Sequence, residues 1–213
     1  AAYQQSSDFD AVAAERDPDA RFLWRFNRRR LSAEEIRDAM LLVSGNLDST
    51  PGGAHPFPPV ETWGFSQHAP FYAVYPTNRR SVYLMQQRLK RHPFLALFDG
   101  ADTNVSTARR ELTTVPTQAL YLMNSPFVHQ QAELLARKLI NEASDPRARV
   151  ELAWQTSMGR APTADQFSEN SEFIKGYTAA LDESGVAVEA RELMVWSAFA
   201  RTLLTRNEFL FVD

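Results

Sequence analysis

Two pairs of arginines, set among small polar side chains, mark the middle of this 213-residue chain. The residues concerned are Asn78, Arg79, Arg80, Asn104, Ser106, Thr107, Arg109 and Arg110. A guanidinium is a planar fork of N–H donors that suits carboxylate, phosphate or sulfate, so the pattern is typical of an anion-binding site. The alternative, which we favour, is that these arginines pair with Asp99, Asp102 and Glu111 in a buried polar network that holds the middle of the fold.

A second candidate for binding is the segment 48–78, which precedes the first arginine pair. Half of the twelve prolines lie between Pro51 and Pro76, and aromatic residues are spread among them. Proline removes a backbone donor and fixes φ, so we predict a long ordered loop here. Trp63 and Tyr72 are the rings that could stack on a ligand. The alternative is that the rings only fasten the loop to the body of the domain.

Composition and motifs exclude several kinds of chemistry. The chain has no cysteine and a formal net charge of −3, which argues against a general nucleic-acid binder. The four histidines lack the His-Glu-x-x-His spacing, and there is no nucleophile elbow, phosphate loop or dinucleotide fingerprint. The sequence therefore predicts no metal site and no cofactor in this chain, and it identifies no catalytic residue. No apolar run approaches the ~20 residues of a membrane span.

Helical signals dominate the rest of the chain. Ser32 and Glu35 form a capping box before apolar residues at three- and four-residue steps. Proline stands at the first position of three further predicted helices, at Pro116, Pro126 and Pro146, where its missing N–H costs nothing. Thr163 caps the next helix, and the last extends from about residue 189 to 207. The final residues, 208–213, are apolar and are expected to dock on the body.

We therefore predict a mainly α-helical fold with at most a small strand pair. Residues 21–213 form a single helical domain, and residues 1–20 form a tail or docking segment. The segment 81–85 is the candidate strand. The arginine run Arg28–Arg30 is expected to be a solvated helix end rather than an anion patch, because a cation is stabilised near a helix C-terminus.

An ordered series of motifs carries a family resemblance over nearly everything after about residue 20. The motifs are Asn27-Arg28-Arg29-Arg30-Leu31, Glu35-Ile36-Arg37-Asp38, Thr77-Asn78-Arg79-Arg80-Ser81-Val82-Tyr83, Phe98-Asp99, Asn104-Val105-Ser106-Thr107-Ala108-Arg109-Arg110, Thr113-Thr114-Val115-Pro116-Thr117-Gln118-Ala119-Leu120, Leu122-Met123-Asn124-Ser125-Pro126-Phe127-Val128, Gly159-Arg160-Ala161-Pro162-Thr163 and Asn207-Glu208-Phe209-Leu210-Phe211-Val212-Asp213. The chain resembles a C-terminal domain of unknown function (the PSD type) found in large secreted or envelope proteins of planctomycete-type bacteria.

The resemblance implies a location outside the cytoplasm, either periplasmic, at the cell surface or secreted. It also implies upstream domains of the parent chain as partners, often including a cytochrome-c-like domain. The first residue, Ala1 rather than Met, likewise leads us to expect a fragment of a longer protein. The family offers no established catalytic residues to carry over.

Two functions are compatible with these observations. The first is a non-catalytic scaffold or binding module of a larger extracytoplasmic protein, with a polysaccharide or an anionic ligand as a further partner. The second is part of an enzyme that acts on an extracellular polysaccharide, sulfated or not, and is coupled to an upstream haem domain. The missing catalytic signatures favour the first, and the arginine–hydroxyl cluster with the aromatic loop motivates the second.

Overall fold

Helices account for most of the computed structural model, which describes residues 4–54, 59–62, 64, 76–88 and 91–212. The helices are α1 (Ala11–Arg16), α2 (Ala33–Val43), α3 (Pro93–Leu97), α4 (Pro116–Asn124), α5 (Pro126–Glu142), α6 (Pro146–Met158), α7 (Ala164–Glu183), α8 (Val188–Leu204) and α9 (Asn207–Leu210). Short 3-10 turns span Val60–Thr62 and Ser81–Tyr83. Within the described part the only sheet is an antiparallel pair, β1 (Arg29–Arg30) with β2 (Phe211–Val212). The predicted mainly α fold is confirmed.

The core forms where α5 packs along α8, with α7 against α8, α6 against α5 and α2 across α5. Leu135 and Leu139 of α5 lie in one core cluster with Phe199 and Leu203 of α8, and all four are fully buried. These are the apolar positions that recur at helical spacing in the sequence, so the faces of these helices were predictable from their period alone.

The predicted helix starts are confirmed by their capping bonds. Ser32 Oγ accepts from the backbone N–H of Glu35, and the Glu35 carboxylate accepts from the N–H of Ser32 at 2.7 Å. Asp145 caps α6 through the N–H of Ala148, and Thr163 caps α7. Each such cap contributes about 1 kcal/mol by satisfying a donor that the helix itself leaves unpaired.

The predicted strand at 81–85 is wrong, because Ser81–Tyr83 is a 3-10 turn. Its first backbone N–H and the Ser81 hydroxyl both donate to Asp38 Oδ1, at 2.7 and 2.6 Å. The carboxylate of α2 thus takes the backbone donor that a strand would have used in a ladder. The strand pair lies instead at the chain's end, where Arg30 is in register with Phe211, and the predicted docking of the last residues is confirmed by the burial of Phe209 and Leu210.

The predicted tail contains a short helix and local contacts. In α1, the Asp10 side chain accepts from the N–H of Ala13. The Asp17 carboxylate accepts from two backbone N–H groups further on, and the Trp24 indole N–H donates to the Asp17 carbonyl at 2.8 Å. Residues 10–24 are therefore tied together by their own hydrogen bonds.

The prediction that the arginine run Arg28–Arg30 is a solvated helix end is wrong for Arg30. Arg30 lies in β1 with only 7% of its surface exposed, and Nη2 contacts Asp99 Oδ2 at 2.5 Å. Nη1 donates to the Thr113 carbonyl and to Gln118 Oε1. Asp99 also accepts from the N–H and hydroxyl of Thr113, at 2.9 and 2.8 Å. This buried arginine binds strand β1, the end of α3 and the start of α4 together.

The backbone at Asp99 is strained in order to supply that carboxylate. Its φ of 63° lies in the left-handed region, which costs about 1 kcal/mol for a residue other than glycine. Gly100 follows, and a Cβ there would lie 2.6 Å from the Leu95 carbonyl oxygen. Burial acts to raise the pKa of Asp99, but the hydrogen bonds from Thr113 and Arg30 outweigh it, so the pKa is lowered.

We expect Asp99→Asn to destabilise the domain by about 3–5 kcal/mol, because it leaves the Arg30 guanidinium buried without its counter-charge. Asparagine tolerates the left-handed backbone, so the loss reports the charge rather than the strain. Urea unfolding followed by circular dichroism measures it. Arg109→Ala, at an exposed arginine, is the matched control and should change stability by less than about 0.5 kcal/mol. A loss below about 1 kcal/mol in Asp99→Asn would show that the pair does not hold the fold.

Candidate functional site

A groove of about 1080 Å³ lies between α2 and the segments 80–86 and 101–110. Its apolar lining is aliphatic and consists of Leu31, Ala39, Leu42, Leu47, Val82, Leu84, Leu95 and Ala101. Its charged lining consists of Glu34, Glu35, Asp38, Arg80 and Arg110. Helix α2 supplies the three carboxylates because positions 34, 35 and 38 lie on the side of the helix away from its buried face.

The groove brings together two of the predicted arginines, Arg80 and Arg110. The Arg110 guanidinium contacts Glu34 at 2.7 Å, and Arg80 Nε lies 3.7 Å from Asp38. Both side chains remain substantially exposed. Their carboxylate partners therefore come from α2 and not from the predicted Asp99, Asp102 and Glu111.

The predicted site residues Asn78 and Arg79 have a different position, at the base of the loop 48–78. The Asp48 N–H donates to the Asn78 carbonyl at 3.0 Å, and Arg79 Nε lies 3.3 Å from the Asp48 carboxylate. The Asn78 amide donates to Asn46 at 3.0 Å. Asn78 and Arg79 thus close the two ends of the loop against each other.

The remaining predicted site residues are spread along the surface. Asn104 donates from its backbone and its amide to Asp102, at 2.9 Å in each case, which makes a local turn. Ser106, Thr107 and Arg109 are exposed, and Arg109 makes no ion pair with any residue that the structure describes. Trp63 and Tyr72 lie outside the described residues. The eight polar residues therefore do not converge on one point.

The charges of the groove compensate one another. Glu34 pairs with Arg110, Asp38 with Arg80, and Glu35 with Arg29 at 3.1 Å. The hydrogen bonds from Arg29 and from the Ser32 backbone lower the pKa of Glu35 to about 2. An anionic ligand at this rim would have to compete with carboxylates that already hold the arginines.

A smaller cavity of about 250 Å³ lies on the other side of the segment 76–84. Its polar lining includes Arg37, Thr77, Asn78, His92 and Tyr121. Arg37 is only 5% exposed, and it donates to the carbonyls of Thr77 and Arg79 and to Ser81 Oγ. Burial lowers the pKa of Arg37, and the charge of Asp38 opposes that shift.

Arg37 and His92 are the site residues that sequence reasoning missed. A signal for Arg37 was present, because Ala33, Met40 and Leu41 lie three or four positions from it, which are the spacings that share a helix face. An arginine inside an apolar stripe must be paired or bonded where it is buried. His92 offered no comparable signal, since its neighbours in space come from distant parts of the chain.

Comparison with known proteins assigns the chain to a family. The sequence model of the PSD1 family, described as proteins of unknown function (DUF1553), matches residues 1–174. The chain therefore belongs to this family, and the resemblance to a domain of unknown function is confirmed for the motifs up to Thr163, which lie within the matched residues. No curated protein and no solved structure matches it.

Two further features of the described residues bear on function. None of their helices has both the length and the apolar character to cross a membrane. Nor do any three His, Asp or Glu side chains in the described ranges lie close enough together to hold a metal ion.

We expect His92 to make the domain less stable in mild acid. Burial, and then the charge of Arg37, lower the pKa of His92 below its ordinary value of 6.5. The folded state then binds fewer protons than the unfolded state, so the stabilisation is complete above about pH 6.5 and is lost as the pH falls below it. Chemical unfolding between about pH 5 and 7.5 should show a slope of up to about 1.4 kcal/mol per pH unit.

His92→Gln should flatten that slope, whereas His129→Gln, which changes an exposed imidazole, serves as the control and should retain it. Equal slopes in the wild type and His92→Gln would assign the acid sensitivity to another group.

Proposed function

We propose that this domain is a non-catalytic binding module of a larger extracytoplasmic protein, and that the groove along α2 binds a polypeptide segment from the upstream part of that protein. The observation that carries the proposal is the groove's lining, in which aliphatic side chains form the floor and compensated charge pairs form the rim. Protein interfaces share this arrangement of an apolar centre within a polar rim.

The exposure of the floor supports a macromolecular occupant. Leu42 of α2 is 63% exposed and Val82 is 71% exposed, and both line the groove. Covering such side chains contributes about 25 cal/mol for each Å² removed from water. An amphipathic helix or an extended strand presents its apolar side chains at the regular spacing that a groove of this kind accepts.

The chemistry of the lining favours a polypeptide over a sugar chain. None of the described residues that line the groove is aromatic, so this part of the lining offers no ring on which a sugar could stack. A sulfated sugar would also meet Glu34 and Asp38, whose charges already engage the two arginines. A neutral or apolar segment meets neither obstacle.

The upstream partner and the location outside the cytoplasm come from the family resemblance. Proteins with the same motifs place this domain after other domains of one long chain. A groove that binds a segment of those domains would hold the parent protein in a fixed arrangement, which is how a scaffold acts.

The test is association in trans between this chain and the upstream part of its parent protein, measured by isothermal titration calorimetry. Leu42→Glu should weaken association about tenfold or more, because it places a charge on the apolar floor. Leu120→Glu is the matched control, since Leu120 is 56% exposed on α4 and does not line the groove. Both variants change exposed positions and should fold normally.

Failure of the two parts to associate would contradict the proposal, and so would equal binding by Leu42→Glu and the wild type. If Leu120→Glu alone weakened association, the docking surface would lie on α4 instead.

A further inference from the structure

We infer that the cavity lined by Arg37, His92 and Tyr121 is a binding site for a small organic anion, namely a carboxylate carried on a flat apolar body. This cavity is separate from the groove, and the inference does not depend on the function proposed for the groove.

The positive charge of the site comes from Arg37. A guanidinium has five N–H donors, and three of those of Arg37 are engaged by Thr77, Arg79 and Ser81. The other two have no acceptor among the described residues. Two unused N–H groups on one guanidinium are what a carboxylate can accept from.

The nearest carboxylate does not fill this role. Asp38 lies 3.7 Å from Arg37 Nη1, but its Oδ1 accepts both donors of Ser81, and it lines the groove rather than the cavity. No Asp or Glu is among the described residues that line the cavity. The charge of Arg37 is therefore only partly compensated by a carboxylate, and the guanidinium carbon lies 5.8 Å from the centroid of the Phe127 ring, which also lines the cavity.

His92 lies in the wall of the same cavity. Its Nδ1 is buried and has no hydrogen-bond partner in the structure. A buried polar atom left unpaired costs about 1–3 kcal/mol, so it requires an explanation. Burial and then the charge of Arg37 lower the pKa of His92, which keeps the ring neutral near pH 7. His92 therefore gives the cavity a neutral polar wall, while the cation of the site is Arg37.

The walls of the cavity define the rest of the ligand. The Phe94 ring lies 5.6 Å from Tyr121 and 6.2 Å from Phe127 between centroids, in edge-on geometry. All three rings line the cavity. Its volume of about 250 Å³ is below the ~300 Å³ at which sites for drug-sized ligands begin, so the ligand is small. A flat ring would pack against these walls in the offset or edge-on manner that aromatic pairs prefer.

Substitutions at Gln130 can test whether the cavity selects a negatively charged ligand, without disturbing the fold. It lines the cavity from α5, yet it is exposed and neutral. A charge introduced here acts on a bound ligand across the mouth of the cavity, whereas a change at Arg37 would also remove three hydrogen bonds that hold the segment 77–81.

The experiment is calorimetric titration of the whole chain with benzoate, with benzamide as the neutral match in shape and with inorganic sulfate as the anion without a ring. Benzoate should bind saturably and about tenfold or more tightly than either comparison, because only benzoate meets both the cation and the rings. Gln130→Glu should weaken benzoate binding about fivefold and Gln130→Lys should strengthen it by a similar factor. Gln86→Glu, at an exposed glutamine that lines the groove instead, is the control and should leave binding unchanged.

Three results would overturn the inference: no benzoate binding at millimolar concentration, equal binding of benzoate and benzamide, or equal affinities in the two Gln130 variants. Sulfate binding as tight as benzoate would overturn the role assigned to the rings.

Discussion

The structure depends on two buried arginines, whose hydrogen bonds hold backbone segments that have no regular secondary structure. Arg30 bonds the Thr113 carbonyl and the Asp99 carboxylate, and Arg37 bonds the carbonyls of Thr77 and Arg79. Carbonyls in such segments have no ladder partner, and buried ones must be satisfied. Burying a guanidinium costs several kcal/mol, which these bonds offset only when all of them are made together. These bonds hold the segments around Thr77 and Thr113 in place, although neither segment is part of a helix or a strand.

Helix α2 connects the buried core to both candidate sites, the groove and the cavity. Three consecutive residues on it have three different surroundings: Ile36 is fully buried in the core, Arg37 lines the cavity, and Asp38 lines the groove. Successive positions on a helix are about 100° apart, so adjacent residues necessarily face different sides. The packing of α2 on α5 therefore fixes the positions of the Arg37 guanidinium and the Asp38 carboxylate together. Both sites thus depend on the packing of the helical core.

Sequence reasoning succeeded where the relevant interactions are local and failed where they are distant. The Ser32 cap, the proline at the start of α4 and the apolar faces of α5 and α8 depend on residues within a few positions, so their patterns were sufficient. The partner of Arg30 lies 69 residues away, and nothing in the arginine run distinguishes its buried member from its exposed neighbours. Asp99 was correctly expected in a buried network, but with the wrong arginines, because an arginine's long side chain can reach several carboxylates and only the fold selects among them.

The segment 76–84 forms a wall of both the groove and the cavity. Arg37 holds the segment through Thr77 and Arg79 from the cavity side, while Asp38 holds it through Ser81 beside the groove. Leu84 lines both spaces. A ligand that moved this wall in one site would change the shape of the other, and any resulting change in affinity must be reciprocal. Arg37 and Asp38, adjacent on one helix, therefore bond this shared wall from the cavity side and from beside the groove respectively.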